Sequence, residues 1–163
     1  MRYYFAYGSN MLPAQMAMRC PGAKALGAAQ LSGWRFHANK RGSASVLPRK
    51  GHIVHGVVWR CTHAHFHSLD CYEGVSWGNY RRRLVRVQLA SGREIFAGVY
   101  AGTRVHDGRA RVGYMITAVL PGAETFGLPD EYIAELTSWL PQRPIGDKRT
   151  VYRGRKKPLR FPI

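Results

Sequence analysis

Between Tyr80 and Leu89 the chain alternates: Tyr80, Arg82, Leu84, Arg86 and Gln88 fall on one face, and Val85, Val87 and Leu89 largely on the other. A period of two is the mark of a half-buried strand. Ser91-Gly92-Arg93 forms a turn into a second extended run over residues 94–100, which predicts a hairpin. Near the start, residues 3–7 predict an aromatic-rich strand closed by Gly8. Residues 11–19 suit a short helix, with Pro13 tolerated in its first turn and Pro21-Gly22 ending it. Strand signals dominate residues 25–60, in runs at 31–36, 43–47 and 52–59, the first two parted by the turn Asn39-Lys40-Arg41-Gly42. Gly56 inside the third run suggests a bulge or a close backbone approach. Thr62 is placed to cap a helix over residues 63–72. Residues 101–112 are polar and glycine-bearing and read as a loop, while residues 113–123 and 130–140 read as helices before Pro141 and Pro144 end regular structure. Many strands with a few interspersed helices predict an α+β fold: a small mixed, largely antiparallel β-sheet or barrel with flanking helices.

With 163 residues, 45% hydrophobic and 12% aromatic, the chain is expected to form one core without staples. Residues 1–145 read as the domain and residues 146–163 as a basic C-terminal tail. No apolar stretch approaches the ~20 residues that span a bilayer. No basic leader with an apolar region follows Met1, so no signal peptide is expected. Cys20, Cys61 and Cys71 are odd in number and lack a metal-type spacing, which suits free thiols and a cytoplasmic location. Lys and Arg total 25 against 9 Asp and Glu, a net charge of +16 (25 − 9), and that field favours anionic partners. The tail carries Lys148, Arg149, Arg153, Arg155, Lys156, Lys157 and Arg160. It reads first as a solvated basic segment and second as a non-specific nucleic-acid contact, since a basic run alone supplies only phosphate affinity.

Two short segments carry candidate chemistry. Tyr7-Gly8-Ser9-Asn10 ends the first strand in a turn where backbone N–H groups can face a ligand, with Gly8 expected at positive φ. Asp70 and Glu73 lie one helical turn apart just before Gly74. A placed carboxylate beside a donor-rich loop suffices for acid–base catalysis without metal or cofactor. Trp77 and Tyr80 are candidates for the apolar surroundings that would raise the Glu73 pKa. Asp70 is expected to be structural, holding a backbone group or one of Arg81, Arg82 and Arg83. Ser9 as a covalent nucleophile lacks a recognisable Asp/His partner motif, and Gly-x-Ser-x-Gly is absent. His63, His65 and His67 place two imidazoles at i, i+4, a spacing that zinc ligands use, but the simpler reading is a polar helix start.

Taken together, these segments resemble the gamma-glutamylcyclotransferase family, with its YGSN-type loop and a downstream glutamate in an LDxxEG context. Arg19-Cys20-Pro21, the strand from Leu31, Gly56-Val57-Val58-Trp59, Gly92-Arg93-Glu94, Gly122-Ala123 and Gly127-Leu128-Pro129 extend the resemblance over roughly residues 3–140. The resemblance implies that the α-amine of a γ-glutamyl group attacks its own γ-carbonyl, giving 5-oxoproline and a free amino acid or amine. It implies Glu73 as general base and then acid, substrate binding by Phe5, Ala6, Tyr7, Gly8, Ser9 and Asn10, and orientation of the substrate by Tyr80. A small anionic substrate, a γ-glutamyl dipeptide or glutathione-like thiol, suits the basic balance, with the protein a monomer or homodimer. The alternative is a non-catalytic binder of the same fold that uses its basic surface on nucleic acid or an acidic partner. One departure stands out. Family members often carry a tyrosine at the start of the helix before Gly-Ala, where this chain has Met115, with Tyr114 one residue early, so no role is carried onto Tyr114.

Overall fold

The structure, a computed structural model, describes residues 2–104 and 108–141; the expected basic tail at 146–163 lies outside the described residues. Five strands close into a barrel in the order β1-β3-β2-β4-β5. They are β1 (Arg2–Ala6), β2 (Lys24–Ala38), β3 (Ala44–Cys61), β4 (Tyr80–Leu89) and β5 (Glu94–Gly102). Four of the five pairings are antiparallel, and β1 against β5, bridged at Tyr4 and Gly98, is parallel. The expected α+β class and the small, largely antiparallel barrel are therefore what the chain forms.

β2 and β3 make one long hairpin around the turn at 39–43, where the runs 43–47 and 52–59 merge into one strand. The ladder slips between Ser32 and Trp34, whose partners are Ile53 and Pro48. Gly33 there sits at φ +78, and proline has no N–H to give a regular ladder. Gly56 stays in register opposite Ala29, so the reason for glycine is close approach: a Cβ there would lie 2.2 Å from the carbonyl oxygen of Ala6. In β4 the alternation holds over 84–87, with Val85 and Val87 buried and Leu84 and Arg86 exposed, while Arg81, Arg82 and Arg83 are all exposed.

A short 3-10 turn (Ser9–Met11) leads from β1 into α1 (Pro13–Arg19). Helix α2 (His63–Tyr72) opens on Thr62, whose hydroxyl accepts from the His65 N–H at 3.2 Å while His65 Nδ1 accepts the Thr62 N–H at 3.3 Å. His65 Nε2 contacts the Pro21 carbonyl at 2.9 Å, so this imidazole ties α2 to the end of α1, and His63 and His67 face outward. After β5 come α3 (Val112–Tyr114), a π-helical turn (Met115–Val119), α4 (Leu120–Thr125) and α5 (Asp130–Ser138). The core gathers Phe5, Leu31, Phe36, Leu69, Met115, Leu120 and Leu136, each essentially without solvent contact. Burial of such a side chain contributes about 1.5–3 kcal/mol. No described helix is long and apolar enough to cross a membrane.

The contact at Gly56 generates a stability prediction. Gly56→Ala should lower the free energy of unfolding by about 1–3 kcal/mol or more, because β1 and β3 must part to admit the methyl group. Urea denaturation measures it, and a variant as stable as the wild type would refute the close approach.

Candidate active site

Glu73 owes its position to the way α2 ends. Gly74, at φ +63, lets the chain turn back, and its N–H bonds to the Cys71 carbonyl (3.1 Å) while the Val75 N–H bonds to Asp70 (3.0 Å). This pair of bonds is the Schellman closure, which favours glycine just past the helix. Glu73 is the cap residue itself, still helical at φ −81, with its side chain turned into a cavity of about 350 Å³.

Across that cavity, Asn10 organises the acid. Its Nδ2 donates to Tyr4 Oη at 2.9 Å and to Glu73 Oε1 at 3.4 Å, and its Oδ1 accepts from Arg19 Nη1 at 2.9 Å. Arg19 Nη1 also lies 3.8 Å from Glu73 Oε1. Glu73 Oε2 makes no hydrogen bond among the described residues, which leaves it for a ligand. Burial raises the Glu73 pKa, and Arg19 and the Asn10 hydrogen bond pull it back only in part. Burial likewise raises Tyr4 and Tyr7, and the Glu73 charge adds to both.

Tyr80 donates to the Ala44 carbonyl at 2.7 Å and accepts from Asn39 Nδ2 at 3.0 Å, which fixes its ring on the cavity wall. Tyr114 stands opposite the loop, and its oxygen accepts the Ser9 N–H at 3.2 Å. The Ser9 side chain also lies within hydrogen-bonding reach of this phenol, which lines the cavity. Asp70 is held apart from Glu73: its carboxylate accepts from Arg82 Nη1 at 2.9 Å and from Tyr100 Oη at 2.6 Å. That is the structural role expected of it, and Arg82 is the partner.

The structure thus brings together Glu73, Tyr7, Gly8, Ser9, Asn10 and Tyr80 around one cavity. Phe5 and Ala6 are not part of it. Both are fully buried in β1, where the Phe5 ring and the Ala6 carbonyl lie against Gly56. Trp77 is 84% exposed, so the desolvation of Glu73 comes from the tyrosines and not from this indole. Gly8 is not at positive φ but at φ −120. Glycine is needed there for space, since a Cβ would meet Tyr114 Oη at 2.8 Å and Ala44 Cβ at 3.0 Å.

Sequence reasoning passed over Tyr114, Arg19, Tyr4 and Asn39. For Tyr114 the reason is the π-helical turn that follows it: one extra residue per turn displaces the register, so Tyr114 reaches the cavity and Met115 the core. Pro121 was the available signal. It lacks the N–H that would close onto Thr117, and its ring crowds that carbonyl, which widens the turn before it.

Comparison with known proteins follows the same lines. Residues 4–115 match the family model "Gamma-glutamyl cyclotransferase, AIG2-like". The chain is 32% identical over 146 residues to the "Gamma-glutamylcyclotransferase" of Mus musculus, covering 82% of this chain and 76% of that protein. It is 32% identical over 143 residues to that of Homo sapiens, with the same shares covered. A solved structure titled "Gamma-glutamyl cyclotransferase" superposes with a TM-score of 0.80 at 30% identity, over 90% of this chain and 92% of that one.

Two outcomes test this geometry. In Arg19→Met the burial of Glu73 is no longer opposed by the guanidinium, so the Glu73 carboxyl should titrate at higher pH than in the wild type. Carbon-detected NMR of labelled glutamate reads this, and an unchanged or lower midpoint would contradict the pairing. Tyr114→Phe leaves the Ser9 N–H without its acceptor and should cost about 1–3 kcal/mol of stability by denaturant unfolding. Met115→Leu, a volume-conserving change in the core, should cost less than about 1.5 kcal/mol.

Proposed function

The chain belongs to the gamma-glutamyl cyclotransferase, AIG2-like family and is an enzyme of gamma-glutamylcyclotransferase type, and we propose that Glu73 drives intramolecular aminolysis of a γ-glutamyl conjugate in the cavity it shares with the 7–10 loop. The observation that carries this reading is a raised-pKa carboxylate in the cavity, with one oxygen tied to Asn10 and the other without a hydrogen bond among the described residues.

The substrate's α-ammonium, with a reference pKa near ~8, must lose a proton before it can attack. Glu73 Oε2 takes that proton. The nitrogen then bonds to the γ-carbonyl carbon, closing a five-membered ring and pushing electrons onto the carbonyl oxygen. The ring nitrogen, now a secondary ammonium, still has one proton to lose. When the oxyanion collapses, the bond to the leaving nitrogen breaks and Glu73 gives that nitrogen its proton. The freed carboxylate then takes the ring nitrogen's proton and passes it to the departing amine, which leaves as an ammonium. The products are 5-oxoproline and the free amine, and Glu73 ends as it began. A carboxyl pKa above the ordinary range narrows the gap to both nitrogens and makes each transfer easier.

Tyr114 suits the developing oxyanion, because its oxygen is held by the Ser9 N–H in the cavity wall and its O–H can turn to a ligand there. A donor so placed is worth about 2.7–4 kcal/mol in the barrier when its geometry suits the oxyanion. Arg19 holds Asn10 and Glu73 in register. Tyr80, fixed by Ala44 and Asn39, gives the substrate a rigid wall. Holding amine and carbonyl in contact supplies much of the rate, so no covalent intermediate is required.

The test is a mass-spectrometric assay for 5-oxoproline on γ-glutamyl amino acids and glutathione. Glu73→Gln should lower kcat/KM by about 10²–10⁴-fold, the usual share of general acid–base catalysis. Because the ionised carboxylate is the base, wild-type kcat/KM should fall as pH drops through its raised pKa. The acid limb should therefore lie above the ~4.3 of an unperturbed glutamate. Turnover by Glu73→Gln comparable to wild type would remove Glu73 from the mechanism.

A further inference from the structure

The cavity is strongly one-sided in charge. Among the described residues its wall carries Arg19, Lys40, Arg41, Arg104 and Arg111 against one acidic residue, Glu73. Arg19 is engaged with Asn10 and Glu73. The remaining four come from three separate stretches of chain: the turn between β2 and β3, the end of β5 and the residue before α3. Arg111 is pinned there, with Nη2 donating to Ser43 Oγ at 3.1 Å and the guanidinium 5.4 Å over the Tyr114 ring. Lys40, Arg41 and Arg104 are exposed, and none of the four pairs with a carboxylate among the described residues. All four are exposed while lining the cavity wall, so they stand on its solvent side, at the mouth.

A γ-glutamyl substrate fixes which of its ends meets them. Its α-amine must reach Glu73, so the group beyond the scissile bond points toward the mouth. Any leaving amino acid brings one α-carboxylate, which one cation can match. Four cations converging on that end, repelling one another while it is empty, match more negative charge than one carboxylate supplies.

We propose that Lys40, Arg41, Arg104 and Arg111 make this enzyme selective for γ-glutamyl conjugates whose leaving amino acid carries two carboxylates, a glutamate or aspartate. The inference rests on the reading of the site as a γ-glutamyl cyclotransferase centre. Net charge does not by itself imply it, because the excess of basic residues could have been spread over the surface. The rim lies at the end of the substrate where conjugates differ, so it discriminates among them without touching the reacting atoms.

The experiment compares γ-glutamyl-glutamate with its near-isostere γ-glutamyl-glutamine, alongside γ-glutamyl-alanine and γ-glutamyl-lysine, by 5-oxoproline release. kcat/KM for the glutamate conjugate should exceed that for the glutamine conjugate by about tenfold at low salt, and the ratio should shrink as salt screens the rim. The lysine conjugate should be the poorest. Arg41→Gln with Arg104→Gln should reduce that ratio. Arg49→Gln with Lys50→Gln, an equal charge loss on exposed β3 away from the cavity, should leave it as in the wild type. Glutamate and glutamine conjugates turned over within about twofold of each other would overturn the inference while leaving the cyclotransferase reading intact. A ratio equally reduced by both double variants would also overturn it, by showing a general field in place of a local one. Absence of 5-oxoproline from every conjugate would overturn both readings.

Discussion

Burying Glu73 strips the ionised carboxylate of hydration, and its neighbours offset that cost only in part. Arg19 stands 3.8 Å away and Asn10 gives a long bond of 3.4 Å, so the carboxyl stays above its ordinary pKa. A tight ion pair would have lowered it and left a poor base. An apolar pocket without Arg19 would have raised it further. The rest of the site is arranged around that balance. Asn10 is itself held between Tyr4 and Arg19, and Gly74 ends α2 so that the cap side chain turns inward.

The barrel supplies the rigidity this requires. Tyr4 on β1 pairs with Gly98 on β5, where the sheet closes in parallel, and the strand then delivers Tyr7 and the 8–10 turn directly to the cavity. Gly56 and Gly8 serve the same end. Each lacks a side chain because another group occupies the space, a carbonyl in one case and a phenol in the other. The long β2–β3 hairpin brings Asn39 and its turn over the far wall, which orients Tyr80 and places Lys40 and Arg41 at the mouth. The same hairpin therefore serves both orientation and charge.

Much of the fold could be read from local pattern. The alternation at 80–89, the Thr62 cap, the hairpin glycine and the close approach at Gly56 are each dictated by neighbours in sequence or by one missing side chain. The pairing of the YGSN turn with Glu73 came from resemblance to a family, and the structure brings the two segments within hydrogen-bonding distance. Phe5 and Ala6, neighbours on one strand, face opposite sides of the sheet, and both are buried because β1 is covered on either face. Trp77 went the other way: an indole three residues past Gly74 reads as apolar cover, yet the turn carries it into solvent.

From the sequence alone followed the elements, the α+β class, the acidic residue at the end of a helix and the excess of positive charge. These depend on short-range periodicity, on caps and on composition, all of which are local or additive. Tertiary structure alone decided which tyrosines meet the carboxylate, which cation tempers it and which basic side chains line the cavity. Tyr114 reaches Ser9 across 105 positions because a π-helical turn shifts its register, and Arg19 reaches Glu73 because α1 and α2 end side by side. The physical reason is that desolvation and Coulomb interaction depend on distance in space, and only the closed barrel determines those distances.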